Sequence, residues 1–186
     1  MRTAIFGGTF DPIHSAHLVI AREAAQAFSL DRVLFIPAAN PPHKETGATY
    51  EDRFRMVELA CEGDPRFIAS RLEEGAEKSY SIHTIERVKK EGGDVYFIIG
   101  ADAFAEIRTW YRWQDVVRSV TFLVVTRPGH HYEIPEGAAV EPLETVALPV
   151  SSSEIRQKLA SGEAVDELPP AVLKYIREHG LYGARV

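Results

Sequence analysis

The residues with the clearest chemical potential lie near the start of the chain, where two glycines precede two histidines. Gly7 and Gly8 follow an apolar run, and His14 and His17 stand at the predicted start of a helix. Glycines let the backbone approach a ligand closely, and a helix N-terminus directs free N–H groups at an anion. Two imidazoles three residues apart can both reach one phosphate. The segment predicts a phosphate-binding site, with helix capping by two histidines as the alternative.

A second candidate phosphate site lies at the start of another predicted helix, closer to the C-terminus. The serine run 151–153 offers N-cap side chains for a helix predicted from about Glu154 to Ser161. Arg156 lies four residues after Ser152, so both side chains occupy one side of the first helical turns. A guanidinium there can hold two phosphate oxygens at once. A simple serine-capped helix is the alternative.

The elements that must position these residues alternate along the chain between strands and helices. Apolar patterns predict strands at 2–6, 32–36, 67–70, 94–99, 120–125 and 146–150. Helical spacing predicts helices at 17–28, 50–62, 81–90, 154–161 and 168–179, and prolines and a glycine predict a loop over 37–48. Strands separated by helices imply right-handed crossovers and ligands at the carboxyl ends of the strands. The predicted fold class is α/β, with a doubly wound parallel sheet.

Composition and charge narrow the class of protein. The 186 residues are 45% hydrophobic and 26% charged, which fits one globular domain spanning 1–186. No apolar run approaches the roughly 20 residues of a membrane span, and we expect no export leader and a cytoplasmic location. The net charge of −6 argues against a nucleic-acid partner, whereas a small phosphorylated ligand needs only a local positive field. The lone Cys61 is interpreted as a core residue, and a homo-oligomer is allowed.

The two motifs together resemble the signatures of a known superfamily of nucleotidyltransferases. The segment His14–His17 is similar to its His-x-Gly-His motif, and Ser151–Arg156 resembles its Ser-Ser-Thr-x-x-Arg motif. Further segments extend the similarity to the bacterial nicotinate-nucleotide adenylyltransferase family: Pro41–Lys44, Ile99–Asp102, Trp110–Tyr111 and Thr126–Gly129. The resemblance implies a single Rossmann-like doubly wound parallel sheet with flanking helices. It also implies adenylyl transfer from ATP to nicotinate mononucleotide with release of pyrophosphate.

The resemblance also implies roles for individual residues. His14, His17 and Arg156 are implied as catalytic residues that stabilise charge on the phosphates. ATP binding is implied for Gly7, Gly8, Thr9, Phe10, His17, Gly100, Asp102, Arg127, Ser152 and Arg156. Binding of the nicotinate nucleotide is implied for His43, Lys44, Ser81, Trp110 and Tyr111. We expect Mg²⁺ to arrive with the ATP phosphates, because it keeps waters and binds through phosphate oxygens, and we expect no protein metal cage.

Several of these residues also have simpler interpretations. Asp102 could be the N-cap of a helix starting near Ala103, and Trp110 could be a core residue. His43 and Lys44 could form a solvated basic loop tip, and a strand-end arginine such as Arg127 is usually solvated. Each residue therefore needs its position in the fold before a role can be assigned.

The chain departs from the family pattern at three positions. Ala16 replaces the glycine of His-x-Gly-His and adds a methyl group where the backbone passes the implied ATP site. Ser81 stands where a threonine is more usual, and His83 where relatives often have an acid. We expect activity to survive the change at Ala16. Ser81 keeps a hydroxyl and a backbone donor and His83 is expected to face solvent, but both changes weaken the assignment of the nicotinate site.

Three rival functions are considered. A related transferase could use nicotinamide mononucleotide or phosphopantetheine, because both phosphate motifs are shared across the superfamily. A nucleotide-binding sensor would keep the site without turnover, and the intact His14, His17 and Arg156 argue against it. A Rossmann dehydrogenase needs Gly-x-Gly-x-x-Gly after the first strand, which this chain does not have.

Overall fold

The framework of the protein is one six-stranded parallel sheet. The computed structural model describes residues 1–41, 45–78, 80–145 and 150–185. The strand order is β3-β2-β1-β4-β5-β6, and every neighbouring pair is parallel. The strands are β1 (Arg2–Gly8), β2 (Arg32–Pro37), β3 (Phe67–Ala69), β4 (Asp94–Gly100), β5 (Thr121–Thr126) and β6 (Ala139–Glu144).

Helices connect the strands and cover both faces of the sheet. They are α1 (Ser15–Ala27), α2 (Tyr50–Cys61), α3 (Ser81–Lys89), α4 (Ala101–Ala105), α5 (Trp113–Ser119), α6 (Ser152–Ser161) and α7 (Pro170–Glu178). Short 3₁₀ turns occupy Ile107–Thr109 and Leu181–Gly183. None of the helices in the described ranges combines the length and apolar character required to cross a bilayer.

Alternate residues of the central strand point into two separate cores. Ala4 and Phe6 of β1 belong to the core that includes side chains of α1, α2, α6 and α7. Ile5, between them, belongs to the opposite core with side chains of α3, α4 and α5. This alternation follows from the two-residue period of a strand, and burial on both faces explains why β1 has consecutive apolar residues from Ala4 to Phe6.

The strand order creates a crevice at the carboxyl end of β1. The chain runs outward from β1 to β2 and β3 and then returns to place β4 on the other side of β1. The loops after β1 and β4 therefore separate at the sheet edge where open parallel sheets bind ligands. The histidine motif follows β1, and Asp102 follows β4, so both lie at this switch point.

The observed elements confirm the predicted α/β parallel sheet with flanking helices. The first five predicted strands and five predicted helices are present with ends shifted by about two residues, the uncertainty normal for such boundaries. The sixth observed strand, β6, is a different segment from the one predicted at 146–150, of which 146–149 lie outside the described residues. β6 is an edge strand with mostly exposed side chains, so it lacks the apolar run used to predict strands. The short helix α5 is not among the predicted elements, and α4 overlaps the helix near Ala103 that the sequence offers only as an alternative.

A buried carboxylate ties the loop after β1 to two distant parts of the chain. Asp11 is 4% exposed. Its side chain accepts hydrogen bonds from the backbone N–H of Gly47 at 2.7 Å and of Ala48 at 3.2 Å. The hydroxyl of Tyr182, close to the C-terminus, donates a third at 2.5 Å. The loop after β1 is thereby held from two sides.

The Tyr182 hydroxyl is expected to stabilise the fold measurably. Tyr182→Phe should lower the free energy of unfolding by about 1.5–3 kcal/mol, the usual contribution of a hydrogen bond to a charged group. Chemical denaturation followed by circular dichroism would measure it. Tyr132→Phe is the matched control, because within the described residues the Tyr132 hydroxyl makes no hydrogen bond. Equal losses in the two variants would contradict a stabilising role for the Tyr182–Asp11 bond.

Candidate active site

The loop between β1 and α1 forms one wall of a cleft. Phe10 has a left-handed backbone conformation with φ of 51°, which is uncommon for a residue with a side chain. Its buried ring packs edge-on against Phe6 and His17, with centroids 5.9 and 5.1 Å apart. The same ring lies next to Gly8, where an added Cβ would touch it at 3.4 Å. The turn is therefore shaped by aromatic packing beneath it.

His14 and His17 form a stacked pair at the start of α1. His14 is the N-cap residue, and the two ring centroids are 3.8 Å apart with an interplanar angle of 22°. The backbone N–H of His14 donates to Nδ1 of His17 at 3.1 Å. Because Nδ1 accepts this bond, a neutral His17 ring carries its proton on Nε2. The arrangement presents His17 as a fixed hydrogen-bond donor.

Burial keeps both imidazoles neutral in the absence of a ligand. Desolvation lowers the pKa of His14 to about 4, with Glu167 acting weakly in the opposite direction. Desolvation also lowers the pKa of His17 well below its usual value, and a positive His14 lowers it further. Nδ1 of His14 is buried with no hydrogen-bond partner among the described residues. An anion bound beside the pair would offset the cost of protonating either ring.

The second predicted motif packs directly against the first. Ser151 caps α6 by accepting a hydrogen bond from the Glu154 N–H at 3.0 Å. Ser152 Oγ donates to the Pro12 carbonyl at 2.9 Å, although the residues are 140 positions apart in the chain. Arg156 Nη1 donates to the Asp11 carbonyl at 2.8 Å, and its other N–H groups make no hydrogen bond to the residues that the structure describes, so they can bind a ligand.

The two motifs together line one cleft of about 670 Å³. Its walls are formed by Gly7, Gly8, Thr9, Phe10, Asp11, His14, His17, Glu45, Val150, Ser151, Ser152, Ser153 and Arg156. The sequence-predicted phosphate residues are thus brought together by the fold. Most of the potential ligand groups are donors or cations, which suits a polyphosphate.

A neighbouring cleft of about 580 Å³ is also lined by the histidine pair. Its walls include Gly100, Asp102, Arg127, His14 and His17. Ala16, which replaces the family glycine, also lines this cleft. The histidines border both clefts and could contact a ligand that extends across them.

Asp102 does not cap a helix, contrary to the simpler interpretation. The N-cap of α4 is Gly100, and Asp102 lies exposed in the first helical turn.

Cys61 is buried, and burial raises its pKa to about 12, which confirms that it is a core residue. Across the described ranges, no cluster of three or more His, Cys, Asp or Glu side chains is arranged to hold a metal ion.

The residues expected to recognise the nicotinate ring form a separate group. Trp110 packs edge-on against Phe97 with centroids 5.9 Å apart. Tyr111 is 51% exposed and stacks on Tyr80 at 4.6 Å. Since Tyr80 is the N-cap of α3, this stack brings the loop carrying Trp110 and Tyr111 to Ser81, the first residue of α3. These three expected residues line neither histidine cleft.

Three further positions, His83, His43 and Lys44, have different outcomes. His83 is exposed, as expected, and its ring also contacts those of Tyr80 and Tyr111, both with centroids 5.9 Å away. His43 and Lys44 lie outside the described residues, so their predicted roles stay predictions.

Sequence reasoning missed the residues that hold the phosphate loop from behind. Arg53 in α2 is 1% exposed, and its guanidinium binds main-chain carbonyls on three segments. The sequence does contain one indication that Arg53 is buried. Arg53 lies three and four residues before Met56 and Val57, so all three side chains share the apolar face of α2. A charged residue on the apolar face of a helix indicates a buried polar network.

The depressed pKa values of the histidines predict a stability that depends on pH. The unfolded chain binds protons on these rings near pH 6.5, whereas the folded chain does so only at lower pH. The free energy of unfolding is therefore highest above about pH 6.5. It decreases as the pH falls toward about 4, because protons bind the unfolded chain more strongly than the folded one. Urea denaturation between about pH 7.5 and pH 5 would show the slope.

A substitution isolates the part that His14 contributes to this slope. His14→Asn keeps a good N-cap residue and should flatten the fall in unfolding free energy below about pH 6.5. His179→Asn, at an exposed position, is the control and should keep the wild-type slope. A wild-type slope in His14→Asn would contradict the lowered pKa of His14.

Comparison with known proteins places the chain in a family. Residues 5–158 match the cytidylyltransferase-like family model. A probable nicotinate-nucleotide adenylyltransferase of Solibacter usitatus is 62% identical over 98% of this chain and 100% of its own length. One of Thermus thermophilus is 41% identical over the same shares.

A solved structure supports the fold independently. The Plasmodium falciparum nicotinic acid mononucleotide adenylyltransferase complexed with NaAD superposes with a TM-score of 0.82 at 20% identity, covering 98% of this chain and 97% of its own. At this identity the likeness concerns the fold alone. The family match and the identity of the relatives, added to the joined motifs, show that the chain is a member of the cytidylyltransferase-like family and, within it, of the nicotinate-nucleotide adenylyltransferases.

Proposed function

We propose that the protein transfers the adenylyl group of ATP to nicotinate mononucleotide, forming nicotinate adenine dinucleotide and pyrophosphate. The observation that carries this proposal is the stacked His14–His17 pair, which lines two clefts and shares one of them with Arg156. One cleft is lined by phosphate-binding groups, and the other by Asp102 and Arg127. The relatives bear the name of this activity.

The reaction needs positioned charge rather than a covalent intermediate. A phosphate oxygen of nicotinate mononucleotide attacks the α-phosphorus of ATP, a new P–O bond forms, and the bond between the α-phosphorus and the bridging oxygen breaks. The electron pair leaves with pyrophosphate. Negative charge grows on the oxygens of the transferred and leaving groups, so fixed donors placed there lower the barrier.

The chain offers such donors around the cleft. His17 presents Nε2–H, because its Nδ1 accepts the His14 N–H. Arg156 is anchored by one N–H on the Asp11 carbonyl and keeps other donors for phosphate oxygens. His14 is neutral in the free site, and an adjacent triphosphate would raise its pKa and draw a proton onto the pair. The protonated form would then stabilise charge on the leaving group.

The neighbouring cleft suits the nucleoside half of ATP. The exposed Asp102 carboxylate can accept hydrogen bonds from ribose hydroxyls. Arg127 follows β5 at the same sheet edge and can stack on or bind the base. Gly100 precedes α4 without a side chain, so a ligand can approach the backbone there closely.

We assign Mg²⁺ to the phosphates of ATP rather than to a protein site. Many of the groups lining the phosphate cleft are N–H donors and cations, which bind phosphate oxygens and are not magnesium ligands. The Asp11 carboxylate is already occupied by three hydrogen bonds. When bound, the ion would neutralise charge on the phosphates, while Gly8, His17 and Arg156 orient them.

The aromatic group near α3 is the proposed site of the nicotinate ring. Trp110 offers a flat face for stacking, and the backbone N–H groups of Ser81 and Tyr111 can receive a carboxylate. α3 has no side-chain cap hydrogen bond, so its first N–H groups have no partner from its N-cap side chain. A carboxylate also suits the positive end of a helix, whereas an uncharged amide gains less there.

Substrate preference is the direct test of the activity. Pyrophosphate release should be measured with magnesium-ATP and equal concentrations of nicotinate mononucleotide, nicotinamide mononucleotide or phosphopantetheine. We expect the first to be used best, with kcat/KM at least about tenfold higher than for the amide, since one lost charged hydrogen bond has this effect. Preference for another acceptor would refute the assignment of Trp110 and Tyr111. No release with any acceptor would indicate a nucleotide-binding sensor.

The role of His17 predicts a specific kinetic change. His17→Ala should lower kcat by about 10²–10³-fold, the usual loss when a donor to a developing oxyanion is removed. The KM for nicotinate mononucleotide should change much less, because the ring acts mainly on the transition state. His179→Ala, on the exposed end of α7, should leave both constants unchanged. An unchanged kcat in His17→Ala would exclude a transition-state role.

A further inference from the structure

Arg53 is a buried cation whose hydrogen bonds, within the described part of the chain, all go to backbone carbonyls, and its guanidinium also lies 5.7 Å from the centroid of the Tyr50 ring. Its Nη1 donates to the carbonyls of Thr9 and Ala38, each at 2.8 Å, and its Nε donates to that of Ala48 at 3.3 Å. The side chain is 1% exposed. Burial of a guanidinium without a bonded carboxylate is costly, and a core of similar volume is often at least as stable without a buried charge. The stability of the fold therefore does not by itself explain why a buried arginine binds these three carbonyls.

The bond to the Thr9 carbonyl determines the direction of the next N–H group. In a planar trans peptide the C=O and the following N–H point in opposite directions. Arg53 holds the Thr9 carbonyl toward α2, behind the loop. The N–H of Phe10 consequently points the other way, toward the cleft that Gly8, Thr9 and Phe10 line. Within the described residues, no hydrogen bond uses this N–H.

The loop needs such a restraint because its conformation is not the intrinsic preference of the chain. Phe10 is left-handed at φ 51°, which costs roughly 1–2 kcal/mol for an L-residue. The Phe10 ring is buried, and Asp11 is held by Gly47, Ala48 and Tyr182. These contacts anchor the side chains, and among the described residues the Arg53 bond is the one that holds the peptide between Thr9 and Phe10.

We propose that Arg53 is a positioning residue that holds the Phe10 N–H as a fixed donor to a nucleotide phosphate, including pyrophosphate. Arg53 does not touch the ligand and acts through the Thr9–Phe10 peptide. The proposal rests on the phosphate site of the proposed function, and it does not depend on which acceptor nucleotide is used. A donor oriented before binding requires no reorganisation when the phosphate arrives.

The first test compares two substitutions on the buried face of α2. Arg53→Lys keeps the charge but cannot bind three carbonyls in the same geometry. It should weaken pyrophosphate binding, measured by calorimetry, about tenfold, the equivalent of one hydrogen bond to a charged ligand. Val57→Ala removes core volume on the same helix and should lower the melting temperature without changing this affinity.

The kinetic readout separates positioning from stability. In Arg53→Lys, kcat should fall while the KM for the acceptor nucleotide stays near the wild-type value, at a temperature where the variant is fully folded. Wild-type pyrophosphate affinity and kcat in folded Arg53→Lys would overturn the proposal. An equal loss of affinity in Val57→Ala would also overturn it, because the effect would then follow from stability alone.

A second measurement uses the wild-type protein and so avoids any folding defect. Pyrophosphate is titrated into ¹⁵N-labelled protein, and the amide resonances are followed. The Phe10 amide should shift downfield as it donates to phosphate, whereas the Gly47 amide, already bound to Asp11, should move little. Saturation of the site with no change at Phe10 would overturn the proposal. If pyrophosphate and ATP bind but no acceptor is adenylated, the proposed function fails while the role of Arg53 is still tested.

Discussion

The geometry of the site depends on two buried charges that hold the main chain behind the β1–α1 loop. Arg53 binds the carbonyls of Thr9, Ala38 and Ala48, and Asp11 binds two amides and the Tyr182 hydroxyl. Leaving any one of these buried groups unpaired would cost about 1–3 kcal/mol. Alternative loop conformations are disfavoured for this reason, and the phosphate site is formed before a ligand binds.

The histidine pair couples this rigid loop to electrostatics that change on binding. Stacked rings 3.8 Å apart would repel each other if both were charged, and burial already lowers the pKa of each. The free site therefore contains neutral imidazoles, with the His17 proton directed by the His14 backbone. A polyphosphate supplies the negative charge that makes protonation favourable. We therefore expect the histidine pair to carry positive charge chiefly when a nucleotide is bound, where that charge stabilises the negative phosphates of the reaction.

The site is complete only when the ends of the chain have folded together. The loop that follows the first strand receives hydrogen bonds from Ser152 and Arg156 of α6, and Tyr182 approaches from the other side. In a parallel sheet whose first strand is central, later elements pack on either side of that strand. The catalytic cleft and the core beneath it therefore depend on the same long-range contacts.

Local sequence patterns are sufficient to predict the alternation of strands and helices, the position of the glycine and histidine motif, and the second motif at Ser151–Arg156. These features follow from local periodicity, capping and turn chemistry, which act within a few residues. Long-range packing, in contrast, sets the roles of Arg53 and Asp11, the neutral state of the histidines and the edge strand β6. These depend on burial and on partners distant in the chain, as when Arg53 reaches Thr9 across 44 positions, and no local pattern specifies them.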